Sequence, residues 1–178
     1  MIFPCASQNE KKEAYRELSA VLTNSDLRKC WELLYEWKKN TAFREYNKLV
    51  LDWEELRELN RHPLITIGAH THNHPNLKKC TEPEVLEEMK ICKKLLEEKI
   101  DFPVNHFAFP FGKKNHADVR EFVSAKNTGY MTSVTTRSGI ISDENTFDLP
   151  RQFPQQDTSS VRFRNKLNGW NGLFRTHA

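Results

Sequence analysis

The feature that most constrains the fold is an alternation of short β-branched runs with amphipathic helical stretches. Residues 64–68 read LITIG, and this short apolar run predicts a buried strand. A helical stripe follows to about residue 99, and further strands are predicted at 106–109 and 130–135. This order of strands and helices is typical of a parallel α/β domain or barrel. We therefore expect an α/β fold whose active site lies where the strands end.

Local signals mark the helices between these strands. Thr81 with Glu84 three residues later forms a capping-box pattern, and Asp52 with Glu55 forms another before a short helix. Another helix is predicted from apolar positions after residue 118, ending near Gly129. Segments 147–149 and 161–167 are candidates for a last strand and a last helix, respectively.

The chain of 178 residues is long enough for one domain with a substantial core. We divide it into a helical segment, 1–50, packed on the outside of the barrel, a core, 51–155, and a C-terminal helix or tail, 156–178, of the same domain. A net charge of +3 gives no argument for nucleic acid as a partner. Neither a long apolar run nor a signal-like start is present, so the sequence as written predicts no membrane span and a cytoplasmic location.

Three of the seven histidines lie within five residues, in the run HTHNH at 70–74. Residues four apart on a helical turn share a face, so His70 and His74 can converge on one cation while His72 points elsewhere. Imidazole suits zinc and similar transition metals. A solvated polar loop explains the same spacing about equally well, because His-x3-His is a short motif.

The surrounding motifs identify a family resemblance. Residues 65–77 (ITIGAHTHNHPNL) resemble the His-Ser/Thr-x-x-His motif of polysaccharide deacetylases, carbohydrate esterase family 4. Residues 107–112 (FAFPFG) are similar to a later motif of that family, and 129–136 (GYMTSVTT) resembles a core strand. Residues 149–151 (LPR) are similar to the arginine that ends many members. The resemblance implies an incomplete, distorted (β/α) barrel with an N-terminal helical insertion.

The resemblance also implies roles for particular residues. His70 and His74 correspond to the two histidine ligands of Zn²⁺ or another divalent transition metal, and Thr71 to the hydroxyl that braces their loop. The backbone N–H of Phe111 corresponds to a donor for the tetrahedral oxyanion. Arg151 would orient a carboxylate. Pro110 and Phe109 would wall the substrate pocket, and the substrate would be an N-acetylated polysaccharide or oligosaccharide.

The family's Thr-Phe-Asp-Asp strand has no counterpart in this sequence. Its two aspartates supply a metal ligand and the general base in the family, whereas the seven aspartates here include no Asp-Asp pair. No clear late Leu-x-His motif is present, and His177 is a weak stand-in for the general acid. We therefore expect an N-terminally truncated domain with impaired deacetylase activity. The alternatives are a non-catalytic glycan- or metal-binding remnant, or half of a split or swapped domain that pairs through an open sheet edge, for example as a homodimer.

Overall fold

The fold is taken from a computed structural model, which describes residues 4–40, 50–141, 145–153 and 159–168. In chain order the elements are α1 (Gln8–Asn24), α2 (Leu27–Asn40), α3 (Trp53–Asn60), α4 (Glu82–Ile100), β1 (His106–Ala108), α5 (Val119–Asn127), β2 (Thr132–Val134) and α6 (Ser160–Leu167). A single 3-10 turn, Leu77–Lys79, precedes α4.

The helices begin where local side-chain caps predict that they begin. At α3, Asp52 accepts hydrogen bonds from the backbone N–H groups of Glu54 and Glu55, and the Glu55 carboxylate accepts from the N–H of Asp52. At α4, the Glu84 carboxylate accepts from the N–H of Thr81 at 2.6 Å and from its hydroxyl at 2.8 Å. These bonds satisfy backbone groups that have no partner inside the helix, which explains why both boundaries could be predicted.

The sheet is small, open and parallel. Strand β1 pairs with β2 in register, with Phe107 opposite Ser133. Single parallel bridges extend the sheet on both sides, from Ala69 to Phe107 and from Val134 to Leu149. The predicted α/β class with parallel strands is therefore confirmed, whereas closure into a barrel is not observed among the described residues and stays a prediction.

The prediction of a buried strand at 64–68 is wrong, because these residues are not paired as a strand in the described part of the chain. These residues form no ladder in the described part of the chain, and only Ala69, just after them, bridges to β1. Leu64 is 87% exposed. An apolar run becomes a buried parallel strand only when neighbours pair with it and cover both faces, and here one side has no described neighbour. The predicted fourth strand, 147–149, is likewise reduced to the bridge at Leu149.

The core lies between the sheet and two helices, α4 and α5. Phe107 and Phe109 point inward from the β1 segment with ring centroids 5.1 Å apart, in an edge-to-face contact. The hydroxyl of Tyr130 donates to the carbonyl of Met89 on α4, so its burial leaves no unpaired polar group. Each of these aromatic side chains contributes roughly 1.5–3 kcal/mol by leaving water. The core therefore fixes β1, whose end carries the candidate site.

The first helices are present as predicted, but their apolar faces are only partly buried in the described part of the chain. Ala14 is the buried residue of α1, and Trp31 on α2 is 54% exposed. One described link runs from the side-chain amide of Asn76 to the carbonyl of Thr23 at 3.0 Å. Packing of residues 1–50 on a barrel thus stays a prediction. Among the described residues, no helix is long and apolar enough to cross a bilayer.

Candidate functional site

The three predicted site segments follow adjacent parallel segments of the sheet. His70 follows the bridge residue Ala69, Pro110 comes two residues after the end of β1, and Arg151 comes two residues after the bridge residue Leu149. Because parallel strands end at the same edge, the sheet brings these segments to one mouth. This is the arrangement expected for a site built on strand ends.

The ring of His70 is oriented by the neighbouring strand. Its Nδ1 lies 2.7 Å from the carbonyl oxygen of Ala108, which can only accept, so Nδ1 carries the proton and donates. The lone pair is then on Nε2, the atom that remains available to a metal. Desolvation by the surrounding protein lowers the pKa of His70, even though the residue is partly open to solvent, and the positive fields of His74 and Arg151 lower it further. The neutral, metal-binding form is therefore favoured.

The second histidine lies beside the first. The ring centroids of His70 and His74 are 4.8 Å apart with planes at 71°. The loop between them is not the helical turn that their spacing predicted, because Thr71 and His74 both adopt left-handed backbone angles, with φ of 64° and 54°. The two rings nevertheless lie in edge-on contact, so the loop brings the two imidazoles together.

The Thr71 hydroxyl spans the loop as its predicted bracing role requires. It donates to the carbonyl of His70 at 2.6 Å and accepts from the N–H of His74 at 3.0 Å. Left-handed angles are costly for residues other than glycine, so such a loop persists only where contacts of this kind determine it. His72 has an exposed side chain and takes part through its backbone N–H.

Sequence analysis missed one residue of this loop's environment, Glu88 of α4. It accepts hydrogen bonds from the backbone of His72 and from both the backbone and the side chain of Asn73. A signal for it was present in the sequence. Glu88 lies three residues after Val85 and four before Cys92, so a carboxylate occupies the apolar face of the helix.

The turn at residues 110–112 presents a free backbone donor next to His74. Phe111 has φ of 59°, its carbonyl accepts from the Thr136 hydroxyl, and its ring contacts that of His74 edge-on at 4.8 Å. Its N–H has no protein acceptor within the described ranges. Gly112 is required here, since a Cβ would lie 2.6 Å from the Thr136 nitrogen. The turn therefore leaves one donor available at the mouth.

Two of the predicted pocket residues lie beneath the surface. Phe109 is completely buried against Phe107 and Phe122, and Pro110 is also fully buried. In this structure neither side chain offers surface to a substrate, and both support the turn from below. Phe111 does not follow Phe109 into the core, because it lies beyond the end of β1 and its left-handed backbone angle turns the chain out of the strand direction.

Arg151 is held by backbone contacts with its charge left free. Its Nε donates to the carbonyl of Thr135 at 2.8 Å, and its N–H donates to the carbonyl of Arg137 at 2.9 Å. No carboxylate of the described residues forms an ion pair with it. A cleft of about 520 Å³ opens beside it, walled by Ile140, Ile141 and Phe163 among others.

The donor set fits a transition metal only in part. Two imidazoles are suitable ligands for Zn²⁺, but catalytic zinc sites have three protein ligands. Within residues 4–40, 50–141, 145–153 and 159–168, no group of three or more His, Cys, Asp or Glu residues could hold an ion. His177 lies outside these described residues.

Comparison with known proteins points to one family. The sequence model of the polysaccharide deacetylase family matches residues 7–132. YxkH of Bacillus subtilis (strain 168), which is named for the same family, is 30% identical over 99 residues, covering 55% of this chain and 34% of YxkH. The chain thus spans about a third of the length of this curated relative.

Solved structures show the same fold. A polysaccharide deacetylase from Bacillus cereus is 25% identical with a TM-score of 0.59, covering 66% of this chain and 36% of that one. The Streptococcus pyogenes deacetylase PplD, solved in complex with acetate, is 21% identical with a TM-score of 0.60, covering 66% and 50% of the two chains.

Proposed function

This chain belongs to the polysaccharide deacetylase family, and we propose that its site serves the metal-dependent hydrolysis of N-acetyl groups on an amino-sugar polysaccharide or oligosaccharide. The observation that carries the proposal is the contact between the rings of His70 and His74, whose centroids are 4.8 Å apart. The ring of His74 also contacts that of Phe111, whose N–H has no acceptor within the described residues. A cation that activates water and a backbone donor for the oxyanion are two of the groups that hydrolysis of an amide uses.

Each site residue has a part in this proposal. His70 and His74 would hold Zn²⁺ or another divalent transition metal, and Thr71 would keep their loop in its left-handed conformation. Such an ion, when bound, lowers the pKa of its water from 15.7 to about 7. The N–H of Phe111 would donate to the oxyanion that forms on the acetyl carbonyl.

Arg151 would orient a carboxylate or a polar group of the substrate through its free guanidinium nitrogens. Pro110 and Phe109 would act by shaping the turn at the mouth rather than by touching the sugar, in keeping with their burial. The cleft beside Arg151 would take neighbouring units of the polymer, because its apolar walls suit the faces of sugar rings.

We further propose that this chain alone has little activity. The sequence has no Asp-Asp pair, and no third ligand joins the histidines within the described residues. A site one ligand short should bind metal weakly. Loss of a general base typically lowers the rate by a factor of about 10²–10⁴. The alternative that the chain is a non-catalytic glycan- or metal-binding remnant predicts binding without turnover.

A second candidate is that the chain is half of a split or swapped domain. The observation that favours it is the uncovered edge at 64–68, where no backbone N–H of Thr66, Ile67 or Gly68 pairs within the described residues. Leu64 is exposed beside it. Unpaired edges invite a strand from another chain, either a second copy or a chain that carries the acidic residues.

Turnover on a soluble chitin oligosaccharide tests these proposals. The chain is assayed with added zinc or cobalt, alone and with a peptide that carries a Thr-Phe-Asp-Asp strand, with His70→Ala as the control. We expect little activity alone and a gain with the added strand that His70→Ala abolishes. Robust activity of the chain alone, lost in His70→Ala, would show that the acidic roles are filled from within the chain or by a second copy. Activity unaffected by His70→Ala would refute the site.

A further inference from the structure

Glu88 is a carboxylate in the core, 5% exposed, on the face of α4 that also buries Val85 and Met89. No Lys, Arg or His among the described residues forms an ion pair with it. A buried carboxylate without a cation is costly unless hydrogen-bond donors surround it. Its partners therefore show what the side chain does in this position.

The donors to Glu88 among the described residues come from the loop between the two histidines. Oε2 accepts from the N–H of His72 at 2.9 Å and from the N–H of Asn73 at 2.8 Å, and Oε1 accepts from the Asn73 side-chain amide at 2.7 Å. Hydrogen bonds to an ionised acceptor are about twice as strong as neutral ones. The carboxylate thus fastens the middle of the loop to the rigid helix α4.

The ends of the same loop carry the rings of His70 and His74. Thr71 and His74 have positive φ, and the hydroxyl of Thr71 links one end of the loop to the other by hydrogen bonds. Without the anchor at Glu88, the loop could relax to ordinary backbone angles, and the 4.8 Å separation of the rings would change.

We propose that Glu88 is a positioning residue for metal binding, because its carboxylate holds the loop in the conformation that brings the imidazoles of His70 and His74 together. The inference rests on the proposed function, in which these two histidines are ligands. The hydrogen bonds of Glu88 go to His72 and Asn73 rather than to either imidazole, so its effect on the rings passes through the loop. Its loss should weaken binding of a divalent transition metal about 10- to 100-fold, the usual effect of removing a group that orients a ligand.

Glu88→Met is the main test, since methionine has similar size and suits the apolar face of α4. Glu87→Met makes the same change at the exposed neighbouring position and is the matched control. Glu88→Gln is the conservative variant, because the Asn73 amide can flip to pair with glutamine. Cobalt(II) titration followed by visible d–d absorption gives the affinity and the ligand geometry. Thermal unfolding of the metal-free protein reports the fold separately.

We expect Glu88→Met to fold, to bind cobalt about 10- to 100-fold more weakly and to change the d–d bands at saturation, with substantial rescue in Glu88→Gln and no change in Glu87→Met. If Glu88→Met does not fold, Asn73→Ala takes its place, because it removes the one hydrogen bond from the Asn73 side chain to Glu88. Its cobalt affinity and d–d spectrum are then compared with those of the wild type. Wild-type affinity and bands in the folded variant, with binding lost in His70→Ala, would overturn the positioning role alone. Cobalt binding that survives His70→Ala would overturn the proposed site and this inference with it.

Discussion

The Nδ1 atom of His70 donates to the carbonyl oxygen of Ala108 at 2.7 Å, so the ring is oriented by the strand beside its own. The bond fixes both the tautomer and the direction of the free Nε2. In proteins that bind metals through histidine, the second ring nitrogen commonly donates to a carbonyl or carboxylate, which fixes the tautomer and the ring orientation in this way.

Replacing His70 or His74 by alanine should reduce cobalt or zinc binding below detection, because a single remaining imidazole is a poor ligand set. His72→Ala should bind as the wild type does, since its side chain is exposed and the backbone N–H that anchors the loop is kept. Titration calorimetry or cobalt absorption measures both. Equal loss in all three variants would mean that the loop binds metal through another geometry.

Gly112→Ala should be more destabilising than Gly129→Ala. Both glycines have positive φ, 66° and 86°, so alanine brings left-handed strain of about 1–2 kcal/mol at either position. At Gly112 the new Cβ would also lie 2.6 Å from the Thr136 nitrogen, whereas at Gly129 nothing lies within 4 Å. Urea unfolding gives both free energies. An equal loss of unfolding free energy in the two variants would show that the turn at Phe111 accommodates the new Cβ with no further loss of stability.

The stability of the protein should fall as the pH drops below the ordinary His pKa of 6.5, in part because of His116. Burial, with a smaller effect from the positive charge of Lys113, lowers the pKa of His116 in the folded state. The unfolded chain therefore takes up this proton at a higher pH than the folded chain does, and protonation favours unfolding.

The test of this pH dependence is the free energy of unfolding measured between pH 8 and pH 5. His116→Phe should show a shallower fall, and it also removes a buried Nδ1 that has no partner. The fall in stability of Lys113→Met should lie between those of the wild type and His116→Phe. This substitution removes only the charge of Lys113, the smaller of the two causes that lower the pKa of His116. A slope identical to the wild type in His116→Phe would contradict the assignment.

Asp148→Asn should destabilise the protein by about 1.5–3 kcal/mol, the usual range for hydrogen bonds to a charged group. Both carboxylate oxygens bind Nη1 of Arg137, at 3.0 and 2.9 Å, and the pair is largely shielded from solvent. The comparison is Glu32→Gln, which breaks the exposed pair with Arg28 and should change stability by less than about 1 kcal/mol. Thermal unfolding distinguishes the two, and comparable effects would show that the shielded pair contributes no more than a surface pair.

Much of the local structure followed from the sequence by itself. The starts of α3 and α4 depend on residues within a few positions of one another, and the His70/His74 pair could be recognised from its spacing in the sequence. Hydrogen bonds between residues a few positions apart require particular residue types at fixed spacings. Capping boxes and a five-residue histidine motif can therefore be recognised in the sequence without coordinates.

Other features were decided only by the tertiary structure, because they depend on contacts between residues that are far apart in the chain. Residues 64–68 have the composition of a strand, but no ladder pairs with them in the part of the chain that the structure describes. The left-handed turn at His74 is held by Glu88, fourteen positions away. Phe109 enters the core while Phe111 stays at the mouth because of where α5 and Thr136 lie. Pairing, burial and backbone strain are properties of neighbours in space, and no local pattern specifies which neighbours a residue will have.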